Sequence, residues 1–276
     1  MTRPPFDFEP GTAPLLISIP HLGRELPEPL LPGPADEARR VSDTDWHLDT
    51  LYGFARDLGA SVLGARVSRY AIDLNRPPTG ESLYPGQTTT GLCPTETFRG
   101  VPLYRPGREP DAAEIARRRQ AYWQPYHDKL AEELGRLRAL HGQVLLWEAH
   151  SIASVLPRLF DGKLPDLNLG TNGGAACDAR ILDAVLAPLA DPVTVGGFTH
   201  VVNGRFKGGF ITRHYGQPAG GVHAIQLEMC QCCYMDEDEP FGYRPDRAMR
   251  IQPLLRQMVE GGLEAVRRLK PGRAAH

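Results

Sequence analysis

Val144-Leu145-Leu146-Trp147-Glu148-Ala149-His150-Ser151 begins as an apolar run, follows His141-Gly142-Gln143, and turns polar at its end. A short apolar run after a glycine reads as a buried strand. Its carboxyl end carries a carboxylate, a histidine and a hydroxyl. Ligand sites of open α/β sheets form outside the carboxyl ends of strands. With Ala149 between them, Glu148 and His150 project to the same side of a strand. The alternative is a strand end with a few solvated polar groups, so the rest of the chain has to supply partners for this pair.

A second stretch repeats the design. Leu15-Leu16-Ile17-Ser18-Ile19 is a β-type run closed by Pro20, and His21 follows at once. A lone turn histidine would be unremarkable, but two histidines at equivalent strand ends suggest a shared site. Downstream, Leu48, Leu51, Tyr52, Ala55 and Leu58 fall at helical spacing, with Gly59 as the stop. Ser42-Asp43-Thr44-Asp45 precedes them and predicts a cap at Asp43 or Thr44, which leaves the other aspartate available. One or two strands are expected within 60–74, Ser61 to Ala65 and then Arg69 to Leu74, the latter run delivering Arg76 to the sheet edge. A planar guanidinium fork there suits a carboxylate.

Pro77 to Arg108 reads as a long ordered loop. Asp111 to His141 reads as a helix interrupted near Gln124 by Pro125. A loop rich in Gly and Pro follows Ser151, with a helix expected from Asp178 to Leu189. Asn203 to Gly216 is glycine-rich, basic and aromatic, and reads either as an anion pocket or as a hairpin with solvated charges. Val222 to Met229 is a strand with Glu228 near its end. A buried carboxylate is costly unless paired, protonated or used. Cys230, Cys232 and Cys233 read as small buried residues in preference to a metal or redox site. A helix from Asp246 to Leu269 closes the chain.

Length and composition bound the answer. The chain has 276 residues, 41% hydrophobic and 23% charged, with a formal net charge of -2. That fits a single α/β domain over 1–276 and gives no support to nucleic acid or an anionic membrane as partner. The start of the chain has no signal-peptide pattern, and no apolar segment approaches the ~20 residues of a membrane helix. A cytoplasmic protein with reduced thiols is expected.

Together, His21, His150 and one carboxylate near Asp45 make a three-ligand set for a catalytic zinc with an open fourth position. Glu228 is then the candidate base for a water whose pKa zinc lowers to about 7. The reaction class is hydrolysis of an amide, ester or similar carbonyl. The G-x-S-x-G and H-E-x-x-H patterns are both absent, so neither a serine hydrolase elbow nor that zinc helix is supported.

Ser18-Ile19-Pro20-His21, Asp43-Thr44-Asp45-Trp46-His47, Ser68-Arg69-Tyr70, Asp73-Leu74-Asn75-Arg76-Pro77-Pro78 and Ser82-Leu83-Tyr84-Pro85-Gly86 resemble the N-formylglutamate deformylase (amidohydrolase) family. So do Ala149-His150-Ser151, the run Leu164 to Asn172, the run Gly204 to Gly216, and Gln226-Leu227-Glu228-Met229 leading to Tyr234-Met235. The resemblance covers nearly the whole chain in order. It implies a zinc-carboxypeptidase-like (phosphorylase/hydrolase-like) α/β fold with a mixed, largely parallel sheet flanked by helices. It implies hydrolysis of N-formyl-L-glutamate to formate and L-glutamate, a late step of histidine breakdown.

By this likeness His21 and His150 bind Zn2+, or another divalent metal such as Co2+, with Asp45 as third ligand and Asp43 as the alternative. Glu228 is the catalytic glutamate. Asn75 and Arg76 match residues that bind the substrate carboxylate in related zinc acylases, and Arg213 is the second holder a dianionic substrate needs. The family's Asp-Ala-His-Ser stands here as Glu148-Ala149-His150-Ser151, and Glu148 is expected to orient a ligand histidine. Two rivals remain: a zinc hydrolase of another N-acyl amino acid or formimino-glutamate, and a non-catalytic dicarboxylate-binding protein.

Overall fold

The quoted stretch forms the centre of a seven-stranded sheet in the computed structural model of the protein, which describes residues 3–27, 36–81, 86, 89–191, 193 and 196–269. The strands are β1 (Phe6–Glu9), β2 (Leu15–Ile19), β3 (Ser61–Ala65), β4 (Val144–Ile152), β5 (Leu167–Gly170), β6 (His200–Val202) and β7 (Val222–Cys230). Their spatial order is β1-β3-β2-β4-β7-β5-β6. Strands β3, β2, β4 and β7 run parallel, whereas β1 is antiparallel to β3 and β5 is antiparallel to β7. The sheet is therefore mixed and largely parallel, as expected.

Helices cover both faces, which explains the near-continuous apolar runs of the central strands. Alternate side chains of β2 and β4 enter different cores. Leu15, Ile17, Leu145 and Trp147 pack with Ile181 and Val185 of α5 (Ala179–Ala190) and with Ile251, Leu255 and Met258 of α7 (Pro245–Arg268). Leu16, Val144 and Leu146 pack on the other face against Tyr126, Leu130 and Leu137 of α4 (Gln124–His141). Truncating one of these leucines to alanine costs ~2–5 kcal/mol by the usual cavity penalty. No helix among the described residues is long and apolar enough to cross a membrane.

Several expectations need correcting. Arg69 to Leu74 is a series of turns, not a strand. The Asp73 carboxylate accepts from the Asn75 amide and from the Arg69 guanidinium, and these local bonds replace a ladder. Arg76 thus sits on a turn. A short helix α1 (Asp36–Arg40) precedes Asp45, and the helix after it is shorter than predicted, with α2 spanning Leu48–Leu51 and a 3-10 turn at Gly53–Ala55. Its N-cap position is His47 in the left-handed region, so neither Asp43 nor Thr44 caps it. Asp43 instead accepts from the Phe98 amide. The expected interruption before Pro125 is a π-helical turn, Arg119–Trp123, between α3 (Ala112–Arg118) and α4. Strands β1, β5 and β6 and helix α6 (Phe210–Tyr215) have too few residues to announce themselves by periodicity. The Ser82 to Pro85 part of the family-like pattern lies outside the described residues.

Candidate active site

Neighbouring parallel strands bring the two histidines together. Ser18 of β2 pairs in register with Glu148 of β4, so His21, just past the end of β2, arrives beside His150. The Asp45 amide donates to the His21 carbonyl, which ties the loop carrying Asp45 to the same place. Three donor atoms converge: His150 Nδ1 is 3.2 Å from His21 Nδ1 and 3.2 Å from Asp45 Oδ2, and His21 Nδ1 is 3.6 Å from Asp45 Oδ2. All three residues are at most 3% exposed. A tetrahedral cation with ~2.0–2.1 Å bonds places its ligand atoms about 3.3–3.4 Å apart. The triangle has that size. Buried lone pairs facing one another at this range repel unless a proton or a cation sits among them, so these residues fit a divalent metal. Asp45 Oδ1 is buried with no hydrogen-bond partner, which fits the same conclusion.

Outer residues set the rings. His21 Nε2 lies 2.8 Å from Asp73 Oδ1, so its N–H donates there and Nδ1 is left as the bare nitrogen. His150 Nε2 lies 3.3 Å from Glu148 Oε2. These are the carboxylate–histidine pairs that fix the tautomer of a ligating imidazole. Asn75 lies beside this group: its Oδ1 accepts from the Ile211 amide and its Nδ2 donates towards Gln226 Oε1 at 3.5 Å. The carbonyls on either side of Asn75 are also held, Leu74 O by His127 Nε2 at 2.9 Å and Arg76 O by Trp123 Nε1 at 3.1 Å. The π-helical turn carries Trp123, whose ring stacks on His127 at 3.7 Å.

Charge agrees with geometry. Asp45, Asp73, Glu148 and Glu228 are all buried here, beside one buried guanidinium, Arg69. Burial favours the neutral acid at Asp45, yet hydrogen bonds to His150 and His21 outweigh it and hold the carboxyl well below its usual range. Burial also opposes charge on His150, but Asp45 and Glu148 push it up to about 10. Those carboxylates favour positive charge between them, of the kind a metal cation would supply. Glu228 behaves oppositely. Burial raises it to about 7, with His150 pulling down and Asp45 pushing up. It pairs with His150 across β4 and β7.

A cleft opens over this group, lined by His21, His150, Asn75, Arg76, Gln226 and Glu228. Arg69, Arg205, Phe98 and Phe206 also line it. Of the predicted residues, His21, Asp45, His150, Asn75, Arg76 and Glu228 are therefore together. Arg213, on α6, does not line the cleft; its Nε donates to the Gly208 carbonyl ahead of that helix. Arg205, eight residues earlier in the same basic, glycine-rich stretch, lines the cleft instead. Sequence reasoning also missed Asp73 and Gln226. Gln226 accepts from the Gly209 amide and donates towards Glu228 at 3.5 Å. The signal available for Asp73 was its place two residues before Asn75.

Comparison with known proteins agrees with this arrangement. The family model for N-formylglutamate amidohydrolase matches residues 13–235. The N-formylglutamate deformylase of Pseudomonas aeruginosa is 53% identical over 256 residues, covering 92% of this chain and 94% of that protein. The N-formylglutamate deformylase of Pseudomonas putida is 51% identical over 253 residues, covering 92% and 93%. The crystal structure of N-formylglutamate amidohydrolase from Ralstonia eutropha JMP134 has a TM-score of 0.75 at 26% identity, covering 95% of this chain and 97% of that one. The crystal structure of a gene product from Agrobacterium tumefaciens has the same fold, with a TM-score of 0.72 at 18% identity and 96% of both chains covered. With a match that spans most of its length, the chain belongs to the N-formylglutamate amidohydrolase family.

Proposed function

We propose that the protein hydrolyses N-formyl-L-glutamate to formate and L-glutamate, with a divalent metal held by His21, Asp45 and His150 and with Glu228 as general base. The observation that carries this reading is the triangle of His21 Nδ1, Asp45 Oδ2 and His150 Nδ1 under a cleft lined by Glu228, in a family named for that substrate. Zn2+ suits a two-imidazole, one-carboxylate set, and Co2+ takes the same donors.

When bound, the metal supplies Lewis acidity that polarises the formyl carbonyl and acidifies a neighbouring water. The protein's own groups do the rest. Glu228 accepts the proton of the attacking water as the C–O bond forms. It returns that proton to the amide nitrogen as the C–N bond breaks, so glutamate leaves as a neutral amine. A carboxyl near about 7 serves both transfers close to neutral pH. Asp73 and Glu148 hold the outer N–H groups of His21 and His150, keeping both Nδ1 atoms bare. Arg76 and Arg205 present guanidinium groups in the cleft for the two substrate carboxylates.

The test is formate release from N-formyl-L-glutamate by protein stripped with a chelator and reloaded with Zn2+ or Co2+. Metal-dependent release is expected, with N-acetyl-L-glutamate, N-formyl-L-aspartate and formimino-L-glutamate turned over more slowly. Absence of formate with any divalent metal overturns the proposal, and faster turnover of a comparator transfers it to that substrate.

A further inference from the structure

Away from the cleft, a second group of metal-type donors gathers where β7 ends. Asp166, Cys232 and Cys233 each offer one ligand atom, and these atoms lie within 4.8 Å of one another. They come from distant parts of the chain. Asp166 precedes β5, whereas Cys232 and Cys233 lie in the 3-10 turn Gln231–Cys233 that follows β7. The Cys230 amide donates to the Asp166 carbonyl and fixes the two segments together. One oxygen of Asp166 is engaged twice by Thr199, from its amide at 2.9 Å and its hydroxyl at 2.7 Å. The other, Oδ1, faces the Cys233 sulfur at 3.9 Å.

The Cys230 thiol is engaged elsewhere, donating to the Pro165 carbonyl at 3.3 Å. All five cysteines of the chain are free thiols, and Cys230 and Cys233 are buried. Packing alone does not require two sulfurs and a carboxylate to converge, since an apolar contact needs no carboxylate beside it. A tetrahedral zinc with Zn–S of ~2.3 Å and Zn–O of ~2.0–2.2 Å places S and O ligands about 3.5 Å apart and two sulfurs about 3.8 Å apart. The observed spacing needs only a small contraction to reach this. Lys163 Nζ also approaches Asp166 Oδ1, at 3.9 Å, but its side chain is 60% exposed. An exposed pair of this kind adds little stability, so the ammonium swings into solvent at little cost.

We propose that Asp166, Cys232 and Cys233 form a second cation site selective for thiophilic divalent metals such as Zn2+ and Cd2+, with solvent completing the coordination. It is distinct in chemistry from the His21, Asp45 and His150 group, which holds no sulfur. Occupancy braces the loop before β5 against the end of β7, two residues beyond Glu228, and the site does not depend on the proposed reaction.

The experiment is a titration of Co2+ into reduced, metal-free protein, followed in the near ultraviolet for thiolate-to-cobalt charge transfer. A nitrogen–oxygen site gives none of that absorption. One equivalent of Co2+ per chain developing the charge-transfer band is expected in the wild type, in addition to the ion at the His21 group, and the same band is expected in His150→Ala. It should vanish in Cys232→Ser/Cys233→Ser while far-ultraviolet circular dichroism stays native. The single variant Cys232→Ser, at a half-exposed position, should weaken the band at least tenfold in affinity and guards against misfolding of the double variant. Displacement of Co2+ by Cd2+ should abolish the band. No charge-transfer band in the folded wild type, or an unchanged band in both cysteine variants, overturns the proposal.

Discussion

The Nε2 nitrogen of His21 lies 2.8 Å from Oδ1 of Asp73, with both groups buried. This contact decides which His21 nitrogen carries the proton, and thus which one faces Asp45 and His150. Asp73→Asn keeps a neutral acceptor and removes the charge. Metal affinity should fall by ~10–100-fold, the usual effect of losing such an outer partner. Competition with a chromophoric chelator measures it, and an unchanged affinity would remove Asp73 from this role.

Glu228→Gln keeps the shape of the base without its proton chemistry. Turnover should drop by ~10²–10⁴-fold with metal content unchanged. The pH dependence follows from the raised value of about 7. As pH falls through the carboxyl's titration the base is protonated, so kcat/KM falls on the acid side. A bound dication favours the carboxylate, so in the metal-loaded enzyme that limb sits at or below about 7.

Stability of the metal-free protein should show the opposite sign. The native carboxyl of Glu228 holds its proton up to about 7, whereas the unfolded one releases it near 4.5. Between those values the native state binds more protons, so this group's contribution falls as pH rises through the window. Denaturant midpoints across that range should show a downward component that Glu228→Gln removes. An identical slope in both proteins would contradict the assignment.

Arg76→Ala and Arg205→Ala should each raise KM for N-formyl-L-glutamate by ~10–100-fold, since a charged hydrogen bond is worth ~1.5–3 kcal/mol. Arg213→Ala should change KM by less than either, because Arg213 lies off the cleft. Steady-state kinetics on the three variants separates them, and a largest effect at Arg213 would reinstate it as the second carboxylate holder.

Gly209→Ala tests how tightly the cleft wall is built. A Cβ there would stand 2.3 Å from the Asn75 side-chain nitrogen. Asn75 is itself held by the Ile211 amide and must give way. The expected cost is ~1–3 kcal/mol in stability, as for other overpacked sites, with an accompanying loss of turnover. Thermal melting and formate release read the two effects, and a variant of wild-type stability and activity would show that the contact relaxes freely.

Much of this was legible in the chain itself. The apolar runs of β2, β4 and β7 are long and bounded, so burial on both faces and polar groups at their carboxyl ends follow from pattern alone. His21, His150 and Glu228 stand out for that reason, Arg76 was legible as a carboxylate holder from its place after Leu74, and the family likeness added Asn75. Only the tertiary structure decided the rest. Asp45 rather than Asp43 joins the histidines because His47 adopts a left-handed backbone, the helix starts late, and Asp43 turns to the Phe98 amide. Asp73 and Arg205 entered the site, and Arg213 left it, through turns and loop paths that no periodicity encodes. The cysteines read as packing until the fold brought Asp166, more than sixty residues away, against them. Sequence specifies which groups are buried at strand ends; which of them face one another depends on strand order and loop geometry, set by contacts between distant residues.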